Sequence, residues 1–316
     1  MKTTILTHAD CDGMCSGAIA LSRFPHASVF FTKPVSLYHD LQNTDSDRII
    51  ITDIALTKQD APDIVKLFNK RKEIYYFDHH IIPGKIRKRD IARRVKVFSH
   101  NLNVSSSEMI YRYFIEDIPR ERVWIAIYGA IGDYSDDTEF VRERMLNWDR
   151  RALFFEVSVI VLGIKTDQFE DYDAKRRIVK TLAKGRNPSD VPGLVKSARE
   201  AVNKEFDLYE IIKKKAKTFG NIAYAKDLPS FGFRGASALF AATTRNKPVG
   251  LYVHTRKKYM DVTMRSRSKL KLNELAEGAA EAVSGSGGGH PEAAGAKIPT
   301  GSFSMFLKKL DRMIKV

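Results

Sequence analysis

Acids and histidines fall in four tight groups along the chain: His8-Ala9-Asp10-Cys11-Asp12-Gly13, Asp53, Asp78-His79-His80 and Asp133. Carboxylates gathered in one place repel one another unless cations neutralise them. Carboxylate and imidazole together suit Mn²⁺ first, with Mg²⁺ and Co²⁺ as alternatives. Two such ions, roughly 3.5–4 Å apart, can share a carboxylate and serve a displacement at phosphorus. For any one aspartate the plain alternative is a helix cap or a turn. A metal centre is favoured because the groups recur behind apolar runs.

Those runs are the elements that must position the groups. His8 follows the strand-like Thr3–Thr7, Asp53 follows Arg48–Thr52 with its Ile49-Ile50-Ile51, and Asp78 follows residues 73–77. Asp133 ends another apolar run. Further strands are predicted at 29–32 and 95–98, and helices at 13–22 and 61–69. β-Rich runs alternating with helical patterns predict an α/β fold with a mostly parallel sheet. Ligands gather at the carboxyl ends of strands in such a sheet, so three strand ends deliver their groups to one edge. Ser105-Ser106-Ser107-Glu108 reads as a helix start.

Residues 121–218 are mainly helical and form an extension of the first domain. Gly185, Asn187-Pro188, Pro192 and Gly193 mark 180–193 as a loop before a long basic helix at 194–219. A smaller α/β C-terminal domain then contains a strand at 222–225, a hairpin of 249–254 and 259–264, and a helix at 272–282. A Gly-rich loop at 284–289 and a helix at 302–314 complete it. The predicted division is 1–190 for the catalytic domain, 191–220 for a bridging helix linker and 221–316 for the second domain.

The four groups resemble the motifs of the DHH phosphoesterase superfamily, which includes RecJ exonucleases, nanoRNases, cyclic-dinucleotide phosphodiesterases and family II pyrophosphatases. The resemblance extends to Gly287-Gly288-Gly289-His290-Pro291-Glu292-Ala293-Ala294-Gly295 and to Val262-Thr263-Met264-Arg265-Ser266, which are similar to the DHH-associated C-terminal domain. It implies that His8, Asp10 and Asp53 hold one metal ion. Asp12, Asp53, His79 and Asp133 would hold the other, with Asp53 bridging. His80 would face the substrate phosphate, and Asp78 would orient the histidine pair. Gly287, Gly288 and Gly289 would let backbone N–H groups approach an anion, and Arg265 and His290 would contact phosphate or base. The fourth motif departs from the nanoRNase pattern: Gly132-Asp133-Tyr134-Ser135-Asp136-Asp137 carries two extra acids, Asp136 and Asp137, with no assigned role. The second domain lacks the basic substrate motif of the pyrophosphatases.

Composition is compatible with this reading. The 316 residues carry 53 Lys+Arg against 38 Asp+Glu, a formal charge of +15, which favours polyanionic partners unless it is only a solvated surface. Lys213-Lys214-Lys215 and Lys217 offer sequence-independent phosphate contacts. No run alternates aromatic and basic residues as a stacking platform would. Cys11 and Cys15 are the only cysteines and make no disulfide framework, so a reducing cytoplasm is expected. No apolar run suits a signal peptide or a transmembrane helix. The expectation is a metal-dependent phosphoesterase that hydrolyses short RNA or single-stranded DNA oligonucleotides from one end, as an exonuclease. A phosphodiesterase or phosphatase for cyclic dinucleotides or 3′-phosphoadenosine 5′-phosphate is one alternative; a non-catalytic, nucleic-acid-binding replication scaffold is another. Expected partners are those oligonucleotides or small nucleotides and no membrane; a homodimer is compatible.

Overall fold

The computed structural model describes residues 1–68, 73–84, 86–230, 232–289 and 291–314. The predicted His290 therefore lies outside the described residues, as does the last residue of the helix expected at 61–69. The chain divides into two compact units, Met1–Glu200 and Ala201–Val316.

The first unit opens with β1 (Thr3–Thr7), α1 (Cys11–Arg23), β2 (Ser28–Phe31), α2 (Leu37–Asn43) and β3 (Arg48–Thr52). It continues with α3 (Ala61–Leu67), β4 (Glu73–Asp78), α4 (Lys88–Ala92), β5 (Val97–His100) and α5 (Ser106–Phe114). The strands form a parallel sheet in the order β2-β1-β3-β4-β5. Successive side chains of a strand point to opposite faces, and both faces are covered here. Ile5, Ile50, Tyr75 and Phe77 enter one core with α1 and α5, whereas Leu6, Ile49, Ile51, Ile74 and Tyr76 enter a second with α2 and α3. This is why the strands read as unbroken apolar runs. Because the chain passes from β1 to β2 on one side and then crosses to β3 on the other side of β1, the strand order reverses between β1 and β3, where the carboxyl ends leave a crevice.

The helical extension comprises α6 (Val123–Gly132), α7 (Glu139–Met145), α8 (Arg150–Gly163) and α9 (Tyr172–Ala183). The last of these enters the stretch expected to be a loop. Next, α10 (Leu194–Lys215) contains the division between the units. It is shorter than the basic pattern predicts, because Lys217–Phe219 forms a strand, β6. Gly220, at φ +53°, makes the tight turn that lets β6 pair with β7 (Ile222–Lys226).

The second unit adds α11 (Arg234–Thr244), β8 (Val249–Thr255), β9 (Tyr259–Ser266), α12 (Leu272–Glu281), β10 (Ser286–Gly289), β11 (Ala293–Pro299) and α13 (Phe303–Met313). Its mixed sheet runs β10-β11-β9-β8-β7-β6. The Gly-rich segment is thus an edge strand rather than a loop. A Cβ at Gly287 would sit 2.3 Å from the Ala276 carbonyl oxygen, so β10 packs directly on the backbone of α12. The protein is α/β in both units. Among the described residues, no helix is long and apolar enough to cross a membrane.

Candidate metal centre

The carboxyl edge of the first sheet gathers the predicted groups. Asp10 caps α1, its Oδ1 accepting from the Gly13 N–H at 3.0 Å, while Oδ2 lies 2.6 Å from His8 Nδ1. The capping reading of this aspartate is therefore true, and it does not exhaust the residue: one carboxylate both caps and holds a histidine. Asp12 points from the first turn of α1 to the start of α5, where Oδ2 accepts from the Ser106 N–H at 2.7 Å and Oδ1 from the Ser107 N–H at 2.9 Å.

Asp53 leaves β3 in the left-handed region at φ +59°, and its N–H donates to the Phe77 carbonyl. That kink turns its carboxylate between the two histidine groups. Oδ2 lies 3.8 Å from His8 Nδ1, and Oδ1 lies 3.3 Å from His79 Nε2. The other ring nitrogen of His79, Nδ1, is 3.4 Å from Asp133 Oδ2. Asp133 arrives from the C-terminus of a helix, α6, and not from a strand end. Asp78, at the end of β4, holds His80 Nδ1 at 2.8 Å, and the His80 ring packs edge-on against that of His79.

Among the described residues, three sets of ligand atoms each fall within 4.8 Å: His8, Asp10 and Asp53; Asp12, His79 and Asp133; Asp53, His79 and His80. Two features fit cations here. The Oδ2 atom of Asp53 is buried with no hydrogen-bond partner, a cost that a bound cation would remove. The electrostatics also demand positive charge. Burial, then the charges of Asp10, Asp12 and Asp78, push the Asp53 carboxyl well above the usual range. Burial and Asp12 push Asp133 up to about 6. Burial raises Asp12 as well, against the Ser107 hydrogen bonds. Asp10 goes the other way: its burial is outweighed by the bond and charge of His8, which hold it below the carboxylate range. His8 is raised, the Asp10 hydrogen bond overcoming burial. His80 is raised in the same manner by Asp78. An N/O donor set of this kind matches Mn²⁺, Mg²⁺ or a similar divalent ion.

Several contributors were not singled out from sequence. His100 ends β5 beside Asp78, and its Nε2 donates to the His80 carbonyl at 2.7 Å. The serines at the start of α5 read only as a helix start, yet their N–H groups fix Asp12. Lys175 on α9 acts electrostatically on His8 and Asp10; burial, then Lys33, lower its pKa. No local pattern marked it. Asp136 and Asp137 stand outside the donor sets and line a surface cleft with Arg142 and Arg150.

In the second unit, β11 joins the remaining predicted residues. Arg265 pairs with Ala293 on one side of it, and Gly289 with Ala294 on the other. The Arg265 Nη1 donates to the Met264 carbonyl, and its guanidinium covers Gly235 at the start of α11. A Cβ at Gly288 would meet nothing, so close packing does not require a glycine there.

Residues 234–316 match the DHHA1 domain family. No curated protein sequence matches the chain. Among solved structures, it superposes on RecJ in complex with Mn²⁺ from Thermus thermophilus with a TM-score of 0.65 at 16% identity. That match covers 98% of this chain and 51% of RecJ, so the chain spans about half the length of that relative. The DHH domain of a member of the S1p family of ribosomal proteins gives a TM-score of 0.67 at 14% identity, covering 100% of this chain and 87% of that one. The pGpG-specific phosphodiesterase PggH from Vibrio cholerae gives 0.59 at 15% identity, with 98% of both chains covered. These are likenesses of fold. Residues 234–316 thus match the DHHA1 domain family, and along its length the chain has the fold of the DHH-domain structures it resembles.

Proposed function

We propose that the chain is a two-metal phosphoesterase that removes nucleotides from one end of short RNA or single-stranded DNA oligonucleotides. The observation that carries this reading is the convergence of the three donor sets on one sheet edge around Asp53, whose buried Oδ2 has no hydrogen-bond partner. His8, Asp10 and Asp53 would hold one ion, Mn²⁺ first, and Asp12, Asp53, His79 and Asp133 the other. Bound there, the ions supply Lewis-acid stabilisation of phosphoryl charge and a hydroxide nucleophile at neutral pH. The protein's own part is positioning. Ser106 and Ser107 keep both Asp12 oxygens in place, and the kink at Asp53 aims its carboxylate at both groups. Asp78 fixes His80, which in its raised-pKa, protonated form can donate to a phosphate oxygen. Arg265, the backbone of Gly287, Gly288 and Gly289, and His290 would bind substrate from the second domain, residues 221–316, which contains the DHHA1 match at 234–316.

The fold is shared with PggH, a pGpG-specific phosphodiesterase, and with RecJ, an exonuclease, so substrate length is the property to measure. The test is a Mn²⁺-dependent assay on labelled strands of increasing length at fixed salt, with cyclic dinucleotides and 3′-phosphoadenosine 5′-phosphate in the same panel. Dinucleotides and other short strands should be hydrolysed fastest, with mononucleotides as first products. Faster action on long single-stranded DNA, or internal cuts, would replace this reading with a RecJ-like one. Exclusive turnover of a cyclic or 3′-phosphate substrate would replace it with the phosphatase reading. No turnover anywhere, with Mn²⁺ bound, would leave the scaffold.

Lys175 supplies a further expectation. A half-buried cation acting on His8 and Asp10 can bind a substrate phosphate, a charge-assisted contact stronger than a neutral one. Lys175→Ala should raise KM about tenfold and change kcat little. An unchanged KM would remove Lys175 from the substrate's surroundings.

A further inference from the structure

The second unit contains a basic cleft that shares no residue with the proposed site. It measures about 860 Å³ and is lined by Lys214, Lys215, Lys217, Tyr224, Lys226 and Phe303, among others. The four lysines come from the end of α10, from β6 and from the end of β7, and all are exposed. Neighbouring Lys213 pairs with Glu210; these four form no ion pair among the described residues. The carboxylate of Asp227, which also lines the cleft, accepts from the Thr255 N–H and hydroxyl. Tyr224 and Phe303 meet edge to face, with centroids 5.4 Å apart, and Lys226 Nζ stands 5.9 Å from the Phe303 centroid. Both rings pack partly against the core of the unit, which fixes their orientation.

This cleft is separate from the glycine strand. β6 forms one edge of the six-stranded sheet and β10 the other, five strand spacings or about 24 Å away. With four lysines against the one carboxylate of Asp227, the groove carries an excess of positive charge, which draws a phosphate backbone and releases its counterions. Aromatic faces beside them accept any base, because every base has a π-face. A flat lipid surface would have no use for rings recessed in a cleft.

We infer that this cleft binds single-stranded nucleic acid, with the lysines on phosphates and Tyr224 and Phe303 against a base. It retains strands longer than those hydrolysed fastest. The inference shares its ligand class with the proposed function but does not need hydrolysis.

The test uses the full chain carrying Asp53→Asn, so that no strand is consumed. Its partner is a labelled oligouridylate of about fifteen nucleotides, within the usual site size of such grooves. Combining Lys215→Glu, Lys217→Glu and Lys226→Glu should weaken binding about a hundredfold at low salt and flatten the salt slope by about 0.7 per lysine. The matching Lys→Gln combination, which adds no repulsion, should flatten the slope equally. Tyr224→Leu should weaken binding about tenfold without changing the slope. With Asp53 restored, the lysine variants should hydrolyse a dinucleotide at the unmodified rate. Unchanged affinity and slope would overturn the inference. So would lysine-dependent binding to phosphatidylserine vesicles with RNA binding unaffected, or an equal fall in dinucleotide turnover, which would move these lysines into the active site. The binding result stands or falls even if the chain proves to hydrolyse no oligonucleotide.

Discussion

Asp53→Asn is expected to lower Mn²⁺-dependent hydrolysis by about 10³-fold or more, the equivalent of several kcal/mol of metal-derived stabilisation. Asp53 is the residue whose two oxygens face both histidine groups, at 3.8 Å from His8 and 3.3 Å from His79. An amide keeps the shape and loses the charge that both ions would share. Asparagine is a better probe than alanine because the position sits at φ +59°, where asparagine is tolerated and alanine is strained. The same change should raise the thermal stability of the metal-free protein, since it removes a buried carboxylate crowded by Asp10, Asp12 and Asp78. Activity assays and melting curves in EDTA check the two halves. Near-normal turnover would sink the two-metal assignment. Lost activity with a lowered melting temperature would point to a structural role for Asp53.

The second large effect is a pH-dependent stabilisation by metal. Asp133 titrates at about 6 in the folded chain, because of burial and the Asp12 charge, against about 3.9 when unfolded. The folded state keeps this proton to higher pH, so the group's contribution is fully present below about pH 4 and is lost as pH rises through about 6. At neutral pH the loss approaches 3 kcal/mol as an upper figure, about 8 °C in melting temperature for a unit of this size. The Asp53 shift acts in the same direction. A divalent ion that binds only the folded state reverses the loss, and protons compete with it. Melting temperatures in EDTA should therefore fall between about pH 4.5 and 7.5 in the wild type relative to Asp133→Asn. Mn²⁺ should raise them far more at the upper pH. Parallel curves for the two proteins, or equal Mn²⁺ shifts at both pH values, would show that Asp133 is neither crowded nor a ligand.

Short-range pattern carries much of this fold. Ile49-Ile50-Ile51 and Ile74-Tyr75-Tyr76-Phe77 could hardly be anything but buried strands, and the acids and histidines behind them follow from where such strands end. The long polar helix and the β8–β9 hairpin are legible for the same reason: their periodicity is local. Pattern fails where partners far apart in sequence decide the outcome. Gly287 to Gly289 read as a loop because glycine disfavours strands, yet β10 forms since only a residue without Cβ can lie against the backbone of α12. The basic pattern runs on as helix through residues 217–219, but pairing with β7 and the turn at Gly220 outweigh helical propensity there and make β6.

The candidate site divides in the same way. Sequence alone determined the residue types, their order and their attachment to strand ends, because those are properties of neighbouring residues. Only the tertiary structure decided that Asp133 comes from a helix terminus, that Ser106 and Ser107 hold Asp12, and that Asp136 and Asp137 stand apart. It also decided that Lys175 lies within electrostatic reach of Asp10, and that Tyr224 and Phe303 meet beside four lysines without alternating with them along the chain. Each depends on where two remote segments are packed, and hydrophobic burial across the intervening elements, not the local sequence, sets that distance.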